Sequence, residues 1–231
     1  MSQAALSVAS ESTAELWWAP VWARHAHRYQ GTLPARRAGE TALRKELIFC
    51  LLGGHGVTYE LALSAMEAVS ALEPFDERWT PGRLRRALHR ELTKPQFGPR
   101  RPDGSMRRYR FPTRKARLIT DAVFWVRSQG GIRAGLATCE TEAHRRSWLC
   151  GCPGVGMKTS SWILRNCGWA RRLAIIDVHL LRALDEAQLV YDPRLPRDYE
   201  LVEQVYLDWA DRLGACPAAL DLFLWEVQRS R

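Results

Sequence analysis

The amino-acid sequence predicts an all-α fold. Apolar residues recur with the 3.6-residue period of a helix, between capping residues, along most of the chain, and no segment alternates apolar and polar residues for long. A hydrophobic fraction of 46% over 231 residues is enough for a folded core, and this length suits one large domain or two small lobes. The apolar runs are shorter than the ~20 residues that span a bilayer, so a membrane role is not expected.

About ten helices are predicted, each from a local start or stop signal. Residues 1–12 are expected to form a flexible start. Ser12 and Glu15 then form a capping box for a Trp-rich helix, which Pro20 interrupts and Gly31 ends. Later helices begin at Ser, Thr or Asp caps or at proline. The predicted helices cover residues 13–31, 41–52, 58–72, 81–92, 113–128, 141–149, 158–167, 177 onward, 196–213 and 217–229.

The charge of the chain is positive and unevenly distributed. Lys and Arg number 34 against 25 Asp and Glu, a net charge of +9. Residues 100–117 hold eight basic residues and one acid, Asp103, with two aromatic residues interleaved. This composition favours a phosphate-binding loop, although a solvated loop is the alternative. Because the loop over residues 94–112 is long and contains Pro and Gly, we expect it to be functional or mobile. The DNA-contact candidates in this stretch are Arg107, Arg108, Arg110, Arg114 and Lys115.

A glycine-rich turn at residues 153–156 separates two helical patterns and precedes the residues with the most chemistry. Its glycines permit a sharp hairpin and expose backbone N–H groups before a helix N-terminus, which favours phosphate, although many helical hairpins use glycine without a ligand. Lys158 begins the next helix, where burial and nearby N–H groups are expected to disfavour its ammonium form. A neutral lysine amine can form an imine. Asp177 follows the apolar run 174–176 and is either a helix cap or a catalytic carboxylate.

Two segments, GVGMKTSSWILRN and AIIDVHLLRAL, together resemble the helix-hairpin-helix signature of base-excision DNA glycosylases, and within them the 8-oxoguanine DNA glycosylase/AP lyases. Those enzymes carry a lysine two residues after the last hairpin glycine, and an aspartate two residues before a histidine. Lys158, Asp177 and His179 occupy these positions here. Residues 46–52 and 114–117 extend the resemblance, and residues 220–225 are similar to the small type-two branch.

The resemblance implies a bifunctional glycosylase and lyase. Such an enzyme flips a damaged purine, with 8-oxoguanine the first candidate, from double-stranded DNA into a cleft between two helical lobes. Lys158 would attack C1′ and form an imine, and Asp177 would stabilise the cationic sugar. The expected organisation is one glycosylase domain over residues 13–231, with the helix-hairpin-helix at residues 140–167. A monomer is expected, located in the cytoplasm, or at the nucleoid in a bacterium.

The resemblance also implies base-binding residues. Trp225 or Phe223 would stack on the flipped base, and Trp162 lies one helical turn after Lys158 and points to the same region. Because one face of each helix must be buried, Trp225 and Phe223 are equally well explained as core residues.

Further DNA contacts are implied at the hairpin and before it. Gly154, Val155 and Gly156 would present backbone N–H groups to a phosphate. His55 occupies the position where these glycosylases have a side chain that fills the gap left by the flipped base. The surrounding Gly-rich sequence is also typical of the end of a helix. His179 would orient Asp177, contact phosphate or play a structural part.

No metal cofactor is expected. Some relatives hold an iron–sulfur cluster with four closely spaced cysteines after the catalytic region, but Cys216 is the only cysteine beyond Cys167 here. A zinc site built from Cys150, Cys152 and His144 would lack a complete tetrahedral set of ligands. We therefore interpret the two cysteines as buried thiols. A monovalent cation under the hairpin is the one ion that the resemblance allows.

Two other functions stay open. One is a DNA-binding module that kept the hairpin and lost catalysis, against which the presence of both Lys158 and Asp177 argues. The other is the same lysine chemistry directed at another modified base, for example in defence against foreign DNA. The altered sequence around His55 and the long basic loop suggest this second alternative.

Overall fold

A computed structural model describes residues 13–54 and 56–229, with the side chains of residues 13–16 left out. These residues form eleven α-helices and no β-strand, which confirms the all-α prediction. The predicted flexible start and the capping-box residue Ser12 lie outside the described residues. None of the described helices is both long and apolar enough to cross a membrane. The helices are α1 (Thr13–Thr32), α2 (Glu40–Leu52), α3 (Tyr59–Ser70), α4 (Pro81–Thr93), α5 (Pro112–Ser128), α6 (Ile132–Ala137), α7 (Glu142–Cys150), α8 (Met157–Asn166), α9 (Val178–Glu186), α10 (Tyr199–Arg212) and α11 (Pro217–Arg229).

Two helices differ from the sequence prediction. Helix α1 continues through Pro20, so the predicted interruption is wrong. A proline inside a helix costs ~3 kcal/mol, and here Trp18 and Trp22 on either side of it are buried, which offsets that cost. Helix α6 was absent from the prediction. Its first N–H groups, those of Ile132 and Arg133, donate to the Glu40 carboxylate at 3.0 and 2.7 Å, a cap that no local pattern reveals.

The chain divides into two compact units, and the division falls inside α8. The middle unit comprises residues 38–163, and the terminal unit comprises residues 1–37 and 164–231. In the middle unit α4 packs along α5, while α2 packs on α3, α5 and α6. This core is aliphatic. Its fully buried side chains include Leu43, Leu47, Leu84, Leu88, Ile119 and Val123.

The terminal unit is built around α11, which packs on α1, α9 and α10. Its core is rich in aromatic residues because α1 contributes Trp18, Trp22 and Tyr29 to it. The Tyr29 hydroxyl also donates to the Glu226 carboxylate on α11 at 2.5 Å. Burial, followed by this bond, raises the pKa of Tyr29 to about 12.

The basic loop between α4 and α5 is a fixed part of the middle unit. Phe97 and Arg107 exchange two backbone hydrogen bonds of 3.0 Å in an isolated β-bridge. The rings of Phe97 and Tyr109 are buried with centroids 6.2 Å apart, and the Tyr109 hydroxyl donates to the Leu52 carbonyl at the end of α2. The loop therefore presents its arginines from an anchored hairpin.

Candidate active site

The hairpin between α7 and α8 is closed by local hydrogen bonds. The N–H of Val155 donates to the Cys152 carbonyl at 3.0 Å, and Gly154 adopts a φ of +82°. A Cβ atom at Gly154 would lie 3.1 Å from side-chain carbons of both Leu51 and Leu118, so conformation and space both favour glycine there. At Gly156, by contrast, a Cβ would meet nothing within 4 Å. The backbone at Gly156 is therefore open to an approaching ligand.

The start of α8 has the properties of an anion site. The N–H and the hydroxyl of Ser160 both donate to the Gly156 carbonyl, at 2.9 and 3.0 Å, which closes the first turn. The N–H groups at the start of a helix have no acceptor within the helix, and the helix dipole adds partial positive charge there. Lys158 lies on this first turn. An anion bound at the helix start would therefore lie close to the Lys158 side chain.

Lys158 is exposed, so the expectation that this side chain is buried is wrong. Its Nζ lies 6.0 Å from the ring centroid of Trp162, one turn further along α8. Trp162 is half-buried and packs edge-on against Phe49, with centroids 6.4 Å apart. Its Nε1 is buried and has no hydrogen-bond partner within the described part of the chain. The Lys158 amine is therefore accessible, and the Trp162 ring lies beside it.

The hairpin cysteines are packing groups. The Cys150 Sγ lies 3.4 Å from the Ser160 Oγ, and Cys152 is buried, which raises the pKa of its thiol to about 12. Across residues 13–54 and 56–229, no three His, Cys, Asp or Glu side chains lie close enough together to hold a metal ion.

Asp177 is the N-cap of α9. Its Oδ1 accepts the N–H groups of His179 and Leu180 at 2.9 and 3.0 Å. Both capping bonds use the same oxygen, which leaves Oδ2 outside the cap. The side chain is half-buried. The capping bonds therefore hold the carboxylate in one orientation, and the role of a cap is compatible with that of a charge at an active site.

Polar side chains hold the segment that leads to Asp177. The N–H groups of residues 174, 175 and 176 donate to Glu203 Oε1, Asp221 Oδ2 and Tyr199 Oη at 2.8, 3.1 and 3.3 Å. The Tyr199 hydroxyl also donates to the carbonyl of residue 174 at 2.8 Å. Side chains from α10 and α11 thus replace the neighbouring strand that an extended segment normally requires.

Asp221 carries a second interaction. Its carboxylate lies 3.1 Å from Arg165 Nη1 at the end of α8, and both side chains are almost completely buried. Burial raises the pKa of Asp221 to about 6; the Arg165 guanidinium opposes that shift and the charge of Asp177 adds to it. These supporting residues were not predicted from the sequence. An acid within the apolar stretch around Asp221 was the one available signal.

Trp225 and Phe223 have different surroundings although both lie on α11. Phe223 is 1% exposed, and its ring packs on Trp22 and Tyr29 of α1 with centroids 5.6 and 5.4 Å apart. It is therefore a core residue and is not available to stack on a base. Trp225 is half-buried, with its centroid 6.2 Å from the His179 ring. The imidazole of His179 thus packs on Trp225, and it is the backbone N–H of His179 that binds Asp177.

The segment that contains the hairpin matches the profile of a known family. Residues 103–215, which include the hairpin, Lys158 and Asp177, match the sequence profile of the family described as 8-oxoguanine DNA glycosylase. An 8-oxoguanine DNA glycosylase/AP lyase of Korarchaeum cryptofilum is 25% identical over 201 residues, which cover 85% of this chain and 84% of that relative. The chain is therefore similar in sequence to the 8-oxoguanine DNA glycosylases.

Two further proteins are similar to this chain. The 8-oxoguanine DNA glycosylase/AP lyase of Metallosphaera sedula is 32% identical over 124 residues, which cover 53% of this chain but only 60% of that relative. The solved 8-oxoguanine DNA glycosylase of Methanocaldococcus jannaschii aligns over 95% of this chain and 90% of its own, with a TM-score of 0.63 and 22% identity, which shows the shared fold. That protein has also been solved with a 15mer DNA containing 8-oxoguanine.

Lys115 has a structural role. It is buried, and its Nζ donates to the carbonyls of Leu51 and, at 2.6 Å, Gly53, where α2 ends. Burial, followed by the charge of Arg114, lowers the pKa of Lys115. Its amine is used to satisfy carbonyls at a helix C-terminus and is not available to bind a phosphate.

The arginine candidates fall into two groups. Arg107 Nε donates to the Pro99 carbonyl at 2.8 Å, and Arg110 donates to the Gly56 carbonyl at 3.3 Å, so both support local structure. Arg108 and Arg114 are exposed. The gap-filling candidate His55 lies outside the described residues.

Replacing Lys115 by Met tests this structural role. Met keeps the apolar stem but leaves the carbonyls of Leu51 and Gly53 without their donor, so the free energy of unfolding should fall by about 1–3 kcal/mol. Urea denaturation measures this change. Arg108→Met removes the same charge from an exposed position and should change stability by less than about 0.5 kcal/mol. Equal stability of the two variants would show that Lys115 does not hold the end of α2.

Proposed function

We propose that this protein is a bifunctional DNA glycosylase and AP lyase that removes 8-oxoguanine from double-stranded DNA. The observation that carries the proposal is the placement of Lys158, exposed on the first turn of α8 two residues after the open backbone of Gly156. This arrangement combines a nucleophilic amine with a phosphate-binding helix start. The names of the relatives, and the 8-oxoguanine in the DNA bound by the Methanocaldococcus jannaschii protein, support this choice of lesion.

The proposed reaction begins with a nucleotide flipped out of the duplex. After losing a proton, the Lys158 amine attacks C1′ of the sugar, and the bond from C1′ to the base nitrogen breaks. The base leaves with a proton, and the sugar ring opens to an imine on Lys158. Loss of a proton from C2′ then breaks the bond from C3′ to its phosphate, which cuts the strand.

Asp177 supplies the negative charge in this proposal. The sugar becomes cationic as the base leaves, and a carboxylate held in one orientation stabilises that charge without having to reorganise. The two capping bonds to Oδ1 provide the orientation, and Oδ2 lies outside them. The amine and the carboxylate carry the chemistry themselves, so we propose that no metal cofactor takes part.

One chain is proposed to act alone, because the hairpin, Lys158 and Asp177 all belong to it. Its partner is duplex DNA with a damaged base, and its place of action is the chromosome, at the nucleoid if the host is a bacterium. Trp225, half-buried on α11, is the proposed platform for the base.

Borohydride trapping tests the nucleophile. A duplex with 8-oxoguanine should form a covalent adduct with the wild-type protein in borohydride, because reduction fixes the imine. Lys158→Gln should form no adduct and should neither excise the base nor cut the strand, while it still binds the duplex. Lys45→Gln is the matched control, since Lys45 is exposed on α2 and its loss changes the charge equally.

A panel of duplexes with different lesions identifies the substrate. Parallel duplexes with other modified purines, and with an abasic site, show which base the enzyme removes. Adduct formation on another purine but not on 8-oxoguanine would reassign the substrate, and strand cutting by Lys158→Gln would overturn the mechanism.

Asp177→Asn separates catalysis from capping. Asn keeps an oxygen that caps α9 but removes the charge, so excision should slow by ~10²-fold or more with little change in stability. Asp177→Ala should show the same loss of rate and also lose ~1 kcal/mol of unfolding free energy. Thr58→Ala, which removes the cap of α3, controls for capping alone. Unchanged excision by Asp177→Asn would restrict Asp177 to its role as a cap.

Trp225 and Phe223 should respond differently to truncation. Trp225→Ala should weaken binding of 8-oxoguanine DNA by roughly 5- to 150-fold, the ~1–3 kcal/mol of one stacked base, with a small change in stability. Phe223→Ala should lower the free energy of unfolding by about 3–5 kcal/mol, because its ring fills the core of the terminal unit. Binding titrations and urea denaturation of both variants measure the contrast. Wild-type lesion affinity in Trp225→Ala would rule out the platform.

A further inference from the structure

The whole net charge of the chain resides in the middle unit. Residues 38–163 contain 21 Lys and Arg against 12 Asp and Glu, a net charge of +9. The terminal unit contains 13 of each and is neutral. The basic loop accounts for part of this excess, and α4, which precedes the loop, is a second concentration.

Every ionisable side chain on the exposed side of α4 is an arginine or a histidine. The apolar residues of this helix, Leu84, Ala87, Leu88 and Leu92, are buried. The exposed charged positions are Arg83, Arg85, Arg86, His89 and Arg90. The one acid of the helix, Glu91, forms no ion pair with these side chains, and its charge interacts with that of Arg90 alone among them. Its carboxylate binds Lys94 Nζ and Gln96 Nε2, at 2.5 and 2.6 Å.

This arrangement is unfavourable for the isolated protein. The first turn of α4 contains no acid and holds Arg83, where the helix dipole repels a cation. Arg86 and Arg90 are spaced i,i+4, and like charges at that spacing destabilise a helix by ~0.2–0.5 kcal/mol. An external anion would relieve both effects.

Some exposed arginines elsewhere in the protein have acidic partners. Arg78 pairs with Glu73, Arg172 with Asp211 and Arg197 with Asp198, at 3.2, 2.8 and 2.7 Å. No such ion pair is formed by Arg83, Arg86 or Arg90 within the described ranges. The α4 arginines are therefore available for an external partner.

We propose that the exposed face of α4 binds the phosphate backbone of duplex DNA, as a surface additional to the hairpin. The proposal rests on the proposed function for the identity of the polyanion. Positions 83, 86 and 90 span about 10 Å along the helix axis, close to the axial length of three nucleotides of one strand, at ~3.4 Å each. Phosphate contacts position a protein on DNA without reading its sequence.

The salt dependence of binding to undamaged duplex tests this surface. The triple variant Arg83→Gln, Arg86→Gln and Arg90→Gln should flatten the slope of log affinity against log salt by about 2–3 units, since each phosphate contact contributes about 0.9. Between 50 and 200 mM salt, the affinity of the wild-type protein should consequently fall about 40-fold more than that of the variant. Thermal melting should show the variant to be no less stable, because like charges have been removed.

The matched control is the triple variant Arg78→Gln, Arg172→Gln and Arg197→Gln. It changes the net charge equally but removes arginines that already have acidic partners. Its slope should stay close to that of the wild type. An unchanged slope in the α4 variant would overturn the proposal and assign the face to solvent or to a different partner. Equal flattening in both variants would overturn it as well, because total charge would then explain the effect.

This result is separable from the test of the proposed function. The slopes are measured on undamaged duplex and require no imine. Absence of a borohydride adduct on every lesion would refute the enzymatic proposal and leave the slope comparison valid. Conversely, adduct formation by the wild type with unchanged slopes would refute the α4 surface alone.

Discussion

The carboxylate of Asp221 connects three parts of the terminal unit. It pairs with Arg165 at the end of α8, accepts the N–H of Ile175, and projects from α11, the helix around which this unit is built. Removing one partner of a buried ion pair typically lowers the free energy of unfolding by ~3–5 kcal/mol, because the remaining charge stays buried without a partner or water. The end of the hairpin helix and the segment leading to Asp177 are therefore tied to α11 by one side chain. The position of Asp177 depends on this connection as well as on its own capping bonds.

The two units have different physical characters. The terminal unit is neutral, has an aromatic core and holds Asp177 and Trp225. The middle unit has an aliphatic core, carries the whole net positive charge, and holds the hairpin with Lys158. In the proposed function this distribution assigns most of the phosphate binding to the middle unit, where charge raises affinity for any duplex. The terminal unit contributes a carboxylate and an aromatic ring, the groups suited to a cationic sugar and to a base.

Much of the fold was predictable because its signals are local. The caps at Thr58 and Asp177 and the glycines of the hairpin act within a few residues, so periodicity and capping rules located these helices closely. Helix α6 was missed because its cap, Glu40, lies some ninety residues earlier in the chain. The prediction of a break at Pro20 was wrong because helix propensity does not include the stabilisation from burying the neighbouring tryptophans.

The all-α class, the hairpin, and the spacing of a lysine and an aspartate that resembles the glycosylases could all be predicted from the sequence, because each depends on residue type at short range. Which side chains are free to act depends on tertiary packing. Lys115 has the charge of a phosphate ligand, yet its amine satisfies carbonyls at the end of α2. Phe223 and Trp225 stand two residues apart on one helix, and packing against α1 buries the first and leaves the second half-exposed. Burial and hydrogen bonding depend on residues distant in the chain, and for that reason a linear pattern does not contain them.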